Sequence, residues 1–339
     1  MIRQVVFTLL LSLALAPQAI AQTPPAAPRP AADIPLTRLT ADAAIPVALG
    51  SGAIESADAV WVPNRAAGSL VRIDAKDNQP GAPVVVGAQP CASLVVAFDS
   101  VWVPLCGDGT IARIDPKASP MIDPKASKPS ATLKTKVASN DGRIATAVGS
   151  VWAITDRKGV LSRIDPDTNT VVAEVHVAAG ASAVVFGEEA LWITSDEGAT
   201  GHLTRVNPHN NEIVEVIEVG PKPGRLAVGE GGVWTLNRGA GGNGGTVSRV
   251  DPATNKVVAT IPVGDAAATG EIAAGLGSVW ISAPGVPLLR IDPRTNRAVQ
   301  RFTGDGGGAV LVAHGSLWIA AGPLLTWRLD PLLVAAIRP

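Results

Sequence analysis

Short apolar runs alternate with turn residues along this chain in one recurring phrase. Between Gly224 and Val263 it reads GRLAVGEGGVWTLN, a Gly-rich gap, TVSRVD, the turn DPATN and KVVATIPV. Runs of about five to seven apolar and β-branched residues, punctuated by Gly, Asn, Asp and Pro, are the mark of short antiparallel strands. Each copy of the phrase therefore predicts four strands, A to D. Tryptophan recurs at one position of strand B, as Trp61, Trp102, Trp152, Trp192, Trp234, Trp280 and Trp318, and strand C ends in an Arg-hydrophobic-Asp-Pro type sequence. Seven copies of a four-stranded unit predict an all-β fold, a seven-bladed β-propeller.

Trp-to-Trp spacings are 41, 50, 40, 42, 46 and 38 residues, and the long one has a visible cause. The segment from Ile114 to Ser119 returns as Ile122 to Ser127, a tandem duplication that lengthens one C–D connection as a tolerated surface loop. Elsewhere that connection carries its own chemistry. In Asp165-Pro166-Asp167-Thr168-Asn169, the Asp accepts from backbone amides ahead of it, Pro presets φ, and Asn tolerates the left-handed conformation that closes the loop. The same formula at Asp251 to Asn255 and at Asp292 to Asn296 makes these carboxylates turn residues and not paired catalytic acids. The repeated Trp is read as packing between sheets, and the repeated Arg before the turn as a partner for neighbouring turn carboxylates or carbonyls. Ring closure needs a last outer strand. Pro35 to Thr40 at the N-terminal end is preferred over Leu332 to Ile337, because closure across the termini removes an exposed edge.

Outside the repeats, Arg3, an apolar run from Val5 to Ala16, and Ala19-Ile20-Ala21 read as a secretory signal peptide over residues 1–21. No later stretch is apolar for long enough to span a membrane. Residues 22–34 are Pro- and Ala-rich and read as a disordered tether, and 35–339 as the propeller. A periplasmic or secreted monomer is expected. A formal net charge of −1 without a basic stripe argues against nucleic acid as a partner. The two cysteines, Cys91 and Cys106, flank a predicted hairpin that folds back at Asp99-Ser100, so a disulfide is expected in an oxidising compartment.

The phrases VWV, SRIDP and TNKVVATIPVG, with the Gly-rich start of the next strand, resemble the YVTN/YncE-like β-propeller repeat family and the related virginiamycin B (streptogramin) lyases. The resemblance spans about residues 45–331 and rests on structural positions. In the lyases a His on strand A and a Glu on strand B hold Mg²⁺ and abstract a proton. Here strand B reads VWVPN, VWVPL, VWAIT, LWITS, VWTLN, VWISA and LWIAA, without the Glu. The position nine residues before each Trp holds Gly52, Ser93, Arg143, Ala183, Arg225, Glu271 and Ala309, without the His. The histidines, His176, His202, His209 and His314, occupy unrelated blade positions. No metal site, cofactor or catalytic residue is therefore predicted, and a lyase-like or quinone-dependent enzyme stands as the alternative reading.

Loops from every propeller blade converge where the A strands begin, around the mouth of the central channel. The ring nine residues before Trp places Arg143, Arg225 and Glu271 there among small residues. Its neighbours, Ala53, Leu94, Ile144, Val184, Leu226, Ile272 and Val310, are uniformly apolar and read as buried between blades. The B–C loops add Arg65, Asp156, Asp196 and Arg238, with the cysteine pair nearby. Guanidinium groups at a mouth suit a carboxylate, phosphate or sulfate, or an acidic peptide loop; the competing reading is that the arginines pair with Glu271 or the loop aspartates. Gly239 to Gly245 lies between strands B and C with no helix after it, and reads as a loop beside the mouth and not a phosphate cradle. The expected function is an exported binding module or scaffold that takes a protein partner or a small anionic ligand at the channel mouth.

Overall fold

A computed structural model describes residues 31–50, 52–91, 93–116, 129–133, 135, 137, 143–197, 199–239 and 244–338. The expected signal peptide at 1–21, most of the segment read as a tether, the duplicated stretch after residue 116 and the middle of the Gly-rich loop lie outside them. Seven sheets, each built on four antiparallel strands, six of them in sequence order, form a seven-bladed propeller. Blades 1 to 6 span residues 54–85, 95–133, 144–176, 181–219, 223–264 and 271–303. Blade 7 takes strands A to C from Val310–Ala313, Ser316–Gly322 and Leu325–Leu329.

The N-terminal side closes the ring, but through a segment further along than Pro35 to Thr40. Ala43–Ile45 is the outer strand of blade 7, antiparallel to strand C in the register Ala43 with Arg328 and Ile45 with Thr326. The segment expected to close the ring does something else. Asp33–Pro35 adds a fifth strand to blade 6, parallel to its outer strand, and Leu36–Arg38 makes a 3-10 turn. The boundary drawn at residue 34 thus falls inside a strand. The C-terminal candidate is a helix, Pro331–Ala336. Asp330 caps it by accepting from the Leu332 amide at 2.7 Å, and Pro331 stands at the first helical position, where its fixed φ favours the turn. In this copy the Asp-Pro pair starts a helix instead of a C–D turn.

The seven strand-B tryptophans are all at most 1% exposed, and each packs into the next blade. Trp234 of blade 5, for example, shares a core with Ile272, Val279 and Ile281 of blade 6. Trp318 of blade 7 does the same with Val60 and Val62 of blade 1, across the closure. Six of the indole N–H groups donate to the carbonyl five residues earlier, as Trp234 does to Gly229 at 2.9 Å. Over six of the rings, the strand-C Arg of the same blade lies 4.9–5.9 Å from the ring centre.

That Arg also reaches forward. Arg249 donates to the Pro293 carbonyl and, at 2.8 Å, to Asn296 Oδ1 in the next blade's C–D turn. Arg113, Arg163, Arg205 and Arg328 make the equivalent clasp on Asn169, Asn211, Asn255 and Asn78. The partners are turn carbonyls and the Asn amide, not the turn carboxylates. Those asparagines have φ between 55° and 62°, the left-handed conformation that brings the side chain under the incoming guanidinium. The turn carboxylates serve their own loop. Amides of Thr168 and Asp167 hold the Asp165 carboxyl below its ordinary range.

Two junctions differ. Blade 7 has no C–D turn because its outer strand comes from the other end of the chain, so Arg290 of blade 6 bonds Gln300 of its own blade instead. In blade 1, Arg72 pairs with Asp58 at 2.7 Å and with Asp74, and the C–D connection of blade 2 is the duplicated stretch.

Cys91 and Cys106 form a disulfide, with Cα atoms 5.2 Å apart. The hairpin between them turns at Phe98 and Asp99, both at positive φ, and the main chain brackets the bridge through Cys91 N to Pro104 O and Cys106 N to Gln89 O. For a loop of 15 residues the cross-link stabilises by about 3 kcal/mol. A Cys91→Ser/Cys106→Ser variant is therefore expected to lose about that much in urea unfolding, and an unchanged midpoint would show that the loop needs no staple.

Candidate functional site

The inner strands of all seven blades surround a cavity of about 390 Å³ at the channel. Its wall comes from the starts of the A strands, since a ring of radial sheets leaves only those edges facing the axis. Gly52, Ser93, Arg143, Ala183, Arg225 and Glu271 line it, and so do the apolar neighbours from Ala53 to Val310. The second ring was expected to be buried between blades. Most of it is buried, yet it also walls the channel, because the innermost strand is narrow enough to present both sides to the axis.

Within this wall two guanidinium groups converge on one carboxylate. Glu271 is the first residue of blade 6, Arg225 lies near the start of blade 5, and Arg143 immediately precedes blade 3. Arg225 Nε donates to Glu271 Oε1 at 2.7 Å, and Arg143 Nη2 lies 3.4 Å from Oε2. Side-chain exposures of 15%, 13% and 11% set this cluster apart from a surface ion pair. Both arginines hold further contacts: Arg225 Nη1 donates to the Gly224 carbonyl at 3.0 Å, and each takes part in interactions beyond these. The arginine pairing with Glu271 weighed from sequence is thus what the structure contains. Neighbouring A strands are also tied by polar side chains. Ser93 Oγ lies between the carbonyl and amide of Ile144, and Ser182 Oγ donates to the Pro223 carbonyl.

The B–C loop residues sit apart, and none of the four is in the cavity wall. Arg65 is exposed, with Nη2 3.4 Å from Gln89 Oε1. It borders a separate, mostly apolar groove with Pro46, Pro63 and Pro83. Asp156 is exposed, and its carboxylate accepts from the Lys158 amide at 2.8 Å, an ordinary turn contact. Asp196 is half-buried at the end of strand B. Arg238 is exposed and lies across Gly224, where a Cβ would meet its Nη2 at 3.0 Å.

Sequence reasoning passed over Phe186, the one aromatic side chain among the described residues that line the cavity. A signal was there. Six residues before the strand-B Trp the other copies carry Glu55, Val96, Thr146, Val228, Ala274 and Val312.

No family model matches the chain, and no curated protein matches it. Solved structures do. BamB from Moraxella catarrhalis aligns over 84% of this chain and 85% of its own, at 15% identity and a TM-score of 0.60. Hydrazine synthase of Kuenenia stuttgartiensis aligns over 87% and 98%, at 14% identity and 0.65. The WD40 β-propeller domain of Doa1 aligns over 85% and 95%, at 15% identity and 0.60. These likenesses show the fold. The chain is a β-propeller. Among the described residues no helix is long and apolar enough to cross a membrane, and no three His, Cys, Asp or Glu residues are grouped to hold a metal.

Proposed function

We propose that this protein is an exported, YncE-like propeller whose channel mouth binds a small anionic ligand or an acidic loop of a protein partner. One observation carries the reading: Arg143 and Arg225, from different blades, meet in the channel cavity around a single Glu271. The exchange chemistry is simple. An incoming carboxylate or phosphate takes over guanidinium N–H groups that Glu271 now occupies, and the fixed fork of each Arg matches two oxygens of such an anion. Ala183, Val184 and Ile272 beside the cluster give an apolar wall for the body of the ligand. Export is supported by the signal sequence at residues 1–21 and by the disulfide, which persists in oxidising compartments. The resemblance of the repeats to exported YncE-like proteins points the same way.

A thermal-shift screen of the mature protein against small carboxylates, phosphate, sulfate and Mg²⁺ tests this, run beside Arg143→Ala and Arg225→Ala. The expected result is stabilisation by an anion that each substitution weakens by about ten-fold in apparent affinity. Equal stabilisation of all three proteins would remove the site from the mouth. Stabilisation by Mg²⁺ alone would favour the lyase-like alternative.

A further inference from the structure

The outer edges of the blades are treated unequally by the chain. In blade 6 the outer strand, Arg297–Thr303, is covered. Asp33–Pro35 pairs with it in parallel register, Asp33 opposite Arg301 and Ile34 opposite Phe302. Ile34 is 1% exposed in a shared core with Phe302 and Leu36, and Asp33 lies 3.6 Å from Arg301. The C-terminal helix completes the cover, with Gln300 Nε2 donating to the Val334 carbonyl at 2.9 Å. An added strand is thus something this blade geometry accepts: backbone pairing, one buried aliphatic side chain and a charge pair opposite the edge.

Among the described residues no further strand pairs with the outer strands of blades 3, 4 and 5, Thr170–His176, Glu212–Val219 and Lys256–Gly264. The blade 4 edge stands out in side-chain chemistry. Ile213, Val214 and Val216 are 42%, 50% and 45% exposed, and Glu212, Glu215 and Glu218 are exposed among them. The register links it to the covered edge. Leu203 faces Ile217 in blade 4 as Leu288 faces Phe302 in blade 6, each two residues before the repeated Arg, so Val216–Glu218 occupies the place of Arg301–Thr303. An uncovered apolar edge invites strand pairing unless charge or cover prevents it. Here the charge is of one sign, and it selects what can pair. The basic edge of blade 6 takes an acidic strand; the acidic edge of blade 4 calls for a basic one.

We propose that Glu212–Val219 is a strand-addition site for an extended segment of a partner protein in which aliphatic residues alternate with Lys or Arg. Main-chain hydrogen bonds supply the pairing; in the register of the blade 6 cover, an aliphatic residue in the place of Ile34 packs on Ile217, and the cations on the opposite face of the added strand reach over Val216 to Glu218. This surface is on the rim of the ring and does not depend on the channel mouth.

The test uses a short fluorescein-labelled peptide of alternating valine and lysine, with a valine–glutamate peptide as control. Binding is read by anisotropy and located by hydrogen exchange. Expected are protection of the amides at 212–219 and a fall in affinity of about ten-fold or more in Glu215→Lys/Glu218→Lys, with Lys256→Glu on the neighbouring edge without effect. The double variant should also gain affinity for the valine–glutamate peptide. Because both glutamates are exposed, its thermal midpoint should stay near that of the wild type. No binding, protection confined to other segments, or equal affinity of wild type and double variant would each overturn the proposal.

Discussion

Glu271→Gln is expected to lower stability by about 2–3 kcal/mol and to make the protein's melting temperature newly responsive to anions. The carboxylate is 11% exposed and shared between Arg143 and Arg225, which hold it at 3.4 and 2.7 Å respectively. Two guanidinium groups drawn together in a narrow channel repel each other at an effective dielectric well below that of water. The carboxylate offsets that repulsion, whereas a glutamine of the same shape accepts from one guanidinium through its oxygen, turns an NH2 donor toward the other and lacks the charge. Removing one member of a buried ion cluster costs more than removing a surface pair because the remaining charges stay desolvated. Urea unfolding of the variant reads the loss. Sulfate or phosphate then supplies the missing negative charge, so the variant should be stabilised by millimolar anion more than the wild type is, and Glu271→Gln/Arg225→Ala should lose that response. A loss below about 0.5 kcal/mol, within the range of surface pairs, would show that water already screens the cluster. A loss without an anion response would show that the channel admits no ligand at this point.

The architecture was legible because its determinants are local and repeated. The turn Asn at Asn169, Asn255 and Asn296, the tryptophans and the Arg before each turn recur at fixed offsets, so one physical account serves every blade. What repetition cannot show is where the chain departs from it. Asp330-Pro331 matches the turn formula but caps a helix, because the residues after it, Leu332 to Ala336, lack the Asn that closes the turn and are good helix formers. Ala43–Ile45 closes the ring with only three residues, too few for periodicity to mark. Arg143, Arg225 and Glu271, all nine residues before a strand-B Trp, line one cavity, since register along strand A fixes which residue faces the axis. Loop residues carry no such register. Arg65, Asp156, Asp196 and Arg238 were grouped with them by sequence offset alone, and their directions are set by individual turns, as the Asp156 contact to Lys158 shows.

Trp234→Ala is expected to destabilise the protein by about 4 kcal/mol. The indole is 0% exposed and fills the wedge between blades 5 and 6 against Ile272, Val279 and Ile281. Truncation to Ala opens a cavity of nearly the whole side chain, and β-sheets held by their hydrogen-bond ladders on both sides have little freedom to collapse into it. A second loss follows from the same substitution. The Arg249 guanidinium sits 4.9 Å from the ring centre, and that stacking holds it in line with Pro293 and Asn296 of the next blade. Without the ring the clasp loses its support, so packing and polar contacts at one junction weaken together. Guanidinium chloride unfolding followed by circular dichroism measures the sum. Trp327→Ala is the comparison: its indole is only partly buried, at the edge of the core between blades 6 and 7, and a loss of about 1–2 kcal/mol is expected there. An Arg249→Ala/Trp234→Ala pair should lose less than the two single losses added, since the ring and the guanidinium act as one unit. Strict additivity would show that stacking does not position the arginine, and equal losses at Trp234 and Trp327 would show that complete burial of the ring in the wedge is not what sets the loss.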